Sequence, residues 1–201
     1  MQLRPYPLVA ALALLLAPLS SSATTVIQPT FGELVASADY IVRAEVTSVT
    51  SAWRDNPSKP GERYIGSKIA LAVREVIKGI PPQPLVLDAV GGRVGDEELV
   101  VDGAPKLVAG DECILFVRGN GQTIFPVVGL MHGYFPVYRD AVTRRASVLR
   151  SNGQPLRSEQ ELEPGAPRVA NVKTPALTPE AFRDRIRKQH QRNTLSRAQQ
   201  K

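Results

Sequence analysis

Residues 40–47 alternate between two sides: Tyr40, Val42, Ala44 and Val46 on one, Ile41, Arg43, Glu45 and Thr47 on the other. A period of two is the spacing of a β-strand, whose successive side chains leave opposite faces. Val49 and Trp53 fall out of that register, which predicts a bulge or a strong bend. A second long strand follows. Ile65, Ser67, Ile69, Leu71 and Val73 share one face, with Lys68, Ala70, Ala72 and Arg74 opposite, before Val76 and Ile77 break step. Two shorter apolar runs, Leu85–Val90 and Cys113–Val117, read as strands buried on both faces. They flank a loop holding Gly91, Gly92, Gly95, Gly103, Pro105 and Gly110.

Further strands are expected at Leu99–Val101, at Thr123–Val128 in a hairpin with Glu112–Arg118, and at Tyr134–Tyr138. Gly119-Asn120-Gly121 would turn that hairpin, and Pro136 places the last strand at a sheet edge. Asp55–Glu62, with Asn56, Pro57, Pro60 and Gly61, reads as a loop, and Pro81, Pro82 and Pro84 as a stiff connector.

The period changes to a helical one at two places. Thr30-Phe31-Gly32-Glu33 fits a capping box opening a helix of about two turns that ends near Ala38, with Phe31, Leu34 and Val35 inward. Thr178-Pro179-Glu180 is a second helix start, a capping Thr before a first-turn Pro, and that helix is expected to run to about Gln191. Phe182 and Ile186 are its only apolar stripe, so a solvated basic helix is expected. Between them, Ala146–Arg150 and Gln154–Leu156 form either a minor hairpin around Asn152-Gly153 or part of a solvated tail. Glu163–Thr178, with three prolines, reads as a linker.

Six or seven strands with no α/β alternation predict a mainly β fold, an antiparallel barrel or sandwich. The long strands with out-of-step residues favour a small β-barrel with one short N-terminal helix and a basic C-terminal tail containing a helix.

The N-terminus changes the picture of where the chain works. Arg4 precedes the apolar run Leu8–Ala17, Pro18 breaks it, and Ser21-Ser22-Ala23 supplies small residues at a cleavage point. Residues 1–23 therefore read as an export signal, with periplasmic or extracellular delivery after cleavage near Ala23. The run is shorter than the roughly 20 residues a permanent span needs. The expected organisation is residues 1–23 signal, 24–138 β-barrel, 139–177 hairpin and proline-rich linker, and 178–201 basic helix and tail.

Charge divides along the same line. Residues 24–138 carry 10 Lys and Arg against 13 Asp and Glu, whereas residues 139–201 carry 14 against 6. The basic character belongs to the tail, where Arg183, Arg185, Arg187, Lys188 and Arg192 are candidate polyanion contacts.

Candidate chemistry is thin. Cys113 is the only cysteine in the chain, so no internal disulfide is available. Inside an apolar run it reads as a small buried hydrophobe. One Cys and two His, His132 and His190, fall short of the ligand set a zinc site takes, and no G-x-S-x-G elbow accompanies either histidine. Asp96, Glu97, Glu98 and Asp102 lack the spacing of a calcium loop. Gly91-Gly92-Arg93-Val94-Gly95 lacks the following helix or Lys-Ser/Thr pair of a phosphate cradle. Glu97 and Glu98, adjacent on a strand, would diverge, which is poor glycosidase geometry. Neither catalytic residues nor a metal or other cofactor are expected.

Several motifs together resemble a group of uncharacterised exported bacterial proteins. They are Ala38-Asp39-Tyr40-Ile41-Val42 with Ala44-Glu45-Val46, Val73-Arg74-Glu75-Val76-Ile77-Lys78-Gly79, Gly91-Gly92, Val101-Asp102-Gly103-Ala104-Pro105, and Gly110-Asp111-Glu112-Cys113-Ile114-Leu115-Phe116-Val117. The order of these motifs is distantly similar to bacterial domains like the tissue inhibitors of metalloproteinases. The resemblance to the exported group covers roughly residues 26–138, and the more distant one implies an oligonucleotide/oligosaccharide-binding (OB) type barrel. The inhibitory mechanism is not implied, because it uses an N-terminal cysteine held by disulfides.

The expectation is an exported non-enzymatic interaction module, accessory to or regulating a secreted protease. Its partner surface would be the Asp55–Glu62 loop and the glycine-rich loop, with Gly91, Gly92, Arg93, Asp96, Glu97, Glu98 and Asp102. The competing reading is a polyanion or envelope-surface binder acting through the basic tail; nucleic acid is disfavoured by export and by the net acidic barrel. A hydrolase with an unrecognised site ranks last.

Overall fold

The computed structural model describes residues 28–166 and 174–199. The expected export signal and residues 167–173 of the expected linker lie outside them.

The first helix, α1 (Phe31–Ser37), begins as its capping box predicts. Thr30 Oγ1 accepts the Glu33 amide at 3.2 Å, and Glu33 Oε2 accepts the Thr30 amide at 2.8 Å. At its other end the ammonium of Lys78 donates to the carbonyls of Val35 at 2.7 Å and Ala38 at 2.5 Å. A cation there satisfies carbonyls that have no partner within the helix.

Two 16-residue strands, β1 (Tyr40–Asp55) and β2 (Arg63–Lys78), form a long antiparallel ribbon. The ladder is interrupted at three places. Ile41 faces Lys78 while Val42 faces Val76, so Ile77 is left over; Arg43 faces Glu75 while Ala44 faces Val73, so Arg74 is left over; and a third irregularity skips Thr47. Each extra residue re-aims the strand. Ile77 thereby turns into the core below α1, at 8 % exposure.

The remaining strands are β3 (Leu85–Val90), β4 (Gly92–Val94), β5 (Glu97–Leu99), β6 (Glu112–Val117), β7 (Tyr134–Arg139) and β8 (Ala146–Val148). Six make one antiparallel sheet in the order β3-β2-β1-β6-β7-β8, and β4 with β5 make a small second one. The mainly β architecture agrees with the sequence reading. The sheet is not closed, and β3 and β8 are its edges.

Both faces of the sheet are covered, by different means. Ile41, Ile114, Phe116 and Phe135 point to one face, where they meet α1 and the C-terminal helix α2 (Pro179–Gln199). Val42, Ala44, Cys113, Leu115 and Val117 point to the other, under Leu107, Phe125 and Val127. β6 is therefore buried on both sides, as its apolar run predicts. β3 is not. Only Leu85, Leu87 and Ala89 are buried, because this edge strand has a packed layer on one side alone.

Four other expectations are corrected. Pro136 is not at an edge: β7 pairs with β6 over Tyr134–Pro136 and with β8 over Val137–Arg139, so the proline sits where one partner replaces the other. Thr123–Val128 is not a strand beyond a single bridge, Val117 to Val127. Pro126 has no amide to donate, and the segment instead divides its carbonyls, Pro126 to the Arg118 amide and Ile124 to the Val90 amide. The strand expected at Leu99–Val101 lies two residues earlier, because Gly92–Val94 pairs with Glu97–Leu99 around the two-residue turn Gly95-Asp96. The minor hairpin does form, with Leu149 bridged to Pro155.

The C-terminal helix α2 also differs from its expected form. Its start is as expected, with Thr178 Oγ1 accepting the Ala181 amide at 3.2 Å, but it continues to Gln199. It is also no solvated helix. Phe182 and Ile186 are fully buried, and the Phe182 ring lies 4.9 Å from Phe135, 5.9 Å from Phe31 and 6.3 Å from Phe116. Two apolar residues are enough because both are inserted completely. Leu156, Leu162 and Leu177 fill out the same cluster, so residues after Arg139 share one core with α1 and β6.

Candidate functional site

The glycine pair after β3 is where the fold departs from a plain sheet. Gly91 donates its amide to the Ile65 carbonyl at 2.8 Å and accepts the Ser67 hydroxyl at 2.6 Å. Gly92 has φ +128°, and a Cβ there would stand 2.2 Å from Ser51 Oγ and 2.4 Å from Ser67 Oγ. Only glycine lets the chain cross the β1–β2 ribbon at this distance. The crossing carries the β4–β5 hairpin over the ribbon, and Val100–Leu107 returns beside it.

Between the hairpin, the returning loop and the sheet lies a half-open cavity of about 580 Å³. Its floor is Val49, Ile69, Ala89 and Phe125, and its outer wall is Leu99–Val101 with Ala104–Leu107. Five polar side chains line it: Ser51, Ser67, Arg93, Glu98 and Lys106. The two serines bond each other at 2.8 Å, and Ser67 bonds the Gly91 carbonyl, so both hydroxyl protons are used internally. Arg93 and Glu98 pair with each other at 2.7 Å across β4 and β5. Lys106 is exposed and has no ion pair among the described residues. Val100 stands on the rim at 73 % exposure. A volume of this size, mostly apolar with a few placed polar groups, is in the range of about 300–1,000 Å³ typical of small-molecule sites.

The sequence-predicted partner residues divide here. Gly91, Gly92, Arg93 and Glu98 line the cavity, while Asp96, Glu97 and Asp102 are exposed outside its wall. The floor from β1 and β2 was not foreseen. Its signal was the two serines on apolar-rich strands opposite a glycine pair.

The basic residues of α2 divide as well. Arg187 and Arg183 both reach Glu75, at 3.0 and 3.5 Å, and Arg185 pairs with Glu159. Lys188 and Arg192 have no ion pair among the described residues and line a polar cleft of about 400 Å³ beside Glu159. Burial would raise the Glu159 carboxyl, but its own amide and Arg185 outweigh it and hold the group below its ordinary range. Glu180 is likewise lowered, first by its own amide and further by Arg43 at 2.7 Å.

The candidate chemical groups are dispersed. Cys113 is fully buried, which pushes its thiol up to about 12. His132 sits in the 3-10 turn Leu130–Gly133, where partial burial lowers its pKa. His190 is exposed on α2. Among the described residues no three His, Cys, Asp or Glu side chains converge as metal ligands would, and no helix is long and apolar enough to cross a membrane. The chain matches no family model and no curated protein.

Proposed function

We propose that the chain is an exported, non-enzymatic binding module that engages its ligand through the Gly91–Leu107 face. The observation that carries this reading is the half-open apolar cavity beneath that segment, rimmed by the exposed Val100. Exposed aliphatic surface around a concavity is what binding faces present, and isolated surface residues do not. In the narrower form of the proposal the ligand is an exported protein such as a secreted protease, and the sheet is an opened relative of an OB-type barrel. Support for the barrel comes from the β3 edge, where the Asn120 side chain bonds the Val86 carbonyl and the Asp88 amide, drawing the segment after β6 toward β3. The resemblance to inhibitor-like domains belongs to this proposal too.

The alternative, polyanion or envelope-surface binding through the tail, retains Lys188 and Arg192, which have no ion pair among the described residues, while Arg183, Arg185 and Arg187 are engaged within the chain. Affinity capture from the exported fraction separates the two. Capture should be lost with Val100→Asp, persist with Lys188→Glu/Arg192→Glu, and survive a salt change from about 50 to 200 mM that collapses polyanion binding. Capture lost only with the α2 variant would reject the loop face.

A further inference from the structure

We propose that the cavity under the Gly91–Leu107 segment binds an aliphatic carboxylate, its acyl chain along the floor and its anionic end at Lys106. The inference rests on the reading that this face binds, and goes beyond it by assigning the occupant. Three observations select that chemistry.

The first is the floor. Val49, Ile69, Ala89 and Phe125 offer apolar surface, and its only polar side chains, Ser51 and Ser67, spend their hydroxyl protons on each other and on Gly91. A ligand carrying carbonyls or other acceptors inward would bury them against no side-chain donor, which is costly. A hydrocarbon chain loses nothing there. The second is the balance of charge at the mouth. Arg93 and Glu98 cancel each other at 2.7 Å, which leaves the Lys106 ammonium as the one uncompensated charge among the lining residues. A single negative group at one end of the ligand complements it. The third is the volume. About 580 Å³ in one half-open space accepts an extended chain from the side and leaves its head in water. A lysine with its stem along an apolar wall and its head in solvent is well placed to meet such a head.

Octanoate, decanoate, dodecanoate and tetradecanoate, titrated calorimetrically into the mature protein, test the assignment. Affinity should rise about fourfold per added methylene until the cavity is filled. The corresponding methyl esters should bind about two- to fivefold more weakly at low salt, as expected for a solvent-exposed ion pair, and Lys106→Met should bring the acids to the ester level. Val49→Trp, at a position already 40 % exposed and so tolerant of change, should reduce binding at least tenfold by occupying the floor, as should Ala104→Trp. No binding by any chain length, no dependence on chain length, or equal affinity of acid and ester would overturn the proposal. So would binding unaffected by both Trp variants. If the acids fail while Val100→Asp still abolishes protein capture, the occupant is wrong and the binding face stands. If the acids bind and no capture depends on Val100, the protein partner is wrong instead.

Discussion

Replacing Phe182 by Ala tests whether α2 belongs to the fold. The ring is fully buried and lies within 6.3 Å of Phe31, Phe116 and Phe135, one from each of α1, β6 and β7. Removing a buried Phe costs about 3–5 kcal/mol, transfer and cavity together, and aromatic contacts of this kind lie within that figure. Domains of this size are stable by only about 5–15 kcal/mol, so the loss is a large share of the total. With a urea slope of about 2 kcal/mol/M, the midpoint should fall by about 2 M. Denaturation is best followed by two probes: Trp53 fluorescence, which reports the ribbon that also carries Arg63 at 5.5 Å over the indole, and far-UV circular dichroism, which reports α2. Both should shift together. A change below about 0.5 kcal/mol, the usual effect of a surface substitution, would refute the packing argument. Loss of helical signal with an unmoved fluorescence midpoint would show instead that α2 docks as a separate layer.

Four other outcomes follow from the same packing. Cys113 should resist a thiol reagent at pH 8 in the native protein and react on denaturation, since burial pushes its thiol up to about 12; native labelling would contradict the buried β6. Asn120→Ala removes both hydrogen bonds to the β3 edge and should cost about 1–3 kcal/mol in urea unfolding, with faster amide exchange at Asp88. His132 should titrate by NMR below its ordinary value of 6.5. Because the folded form then holds fewer protons than the unfolded one, this residue's contribution is present above 6.5 and is lost as pH falls through the folded value. Glu159 and Glu180, both lowered, contribute stability above about 4.5 that is lost as pH falls through their folded values. Glu180→Gln should flatten that acid limb, and an unchanged limb would remove the Arg43–Glu180 pair from the account.

Much of the fold was legible because its strands carry period-two patterns that packing did not override. Tyr40, Val42, Ala44 and Val46 share a buried face as their spacing predicts, and the irregularities at Thr47 and Ile77 adjoin places where alternation fails, whereas the one at Arg74 falls in a run that alternates. The Thr30 capping box was equally plain, being a local signal read within four residues. α2 was harder. Phe182 and Ile186, one narrow apolar stripe on a helix with six basic residues, look like a wet surface, and only the long-range clustering of four phenylalanines makes them a core. The basic residues misled for the same reason: Glu75, the acid that Arg183 and Arg187 meet, is 108 residues or more away in sequence. For the proposed binding face, Gly91 and Gly92 marked the location. Ser51, Ser67 and Phe125 come from three other parts of the chain, and no spacing within any one of them announces a shared cavity.

The two faces of the sheet explain why a cavity occurs where it does. On one face α1 and α2 lay rigid apolar stripes against Ile41, Phe116 and Phe135, and the fit is sealed by buried rings. On the other face the cover is made of loops, and a loop buries fewer side chains per residue because its backbone polar groups must stay near water. Leu107 and Val127 cover the part of that face nearest β6. The β1–β2 ribbon, however, continues well beyond this cover, to Asp55 and Arg63. The β4–β5 hairpin reaches over that extension only because Gly92 rests directly on Ser51 and Ser67, and it touches the ribbon there without filling the space behind. The void is thus a consequence of strand length exceeding loop cover. A Cβ at Gly92 would lift the hairpin off both serines, so Gly92→Ala should abolish binding at this face while α2 and the sealed core keep their structure. Near-native circular dichroism with lost binding is the expected pair of results. Intact binding in that variant would mean the hairpin is not the lid of the site.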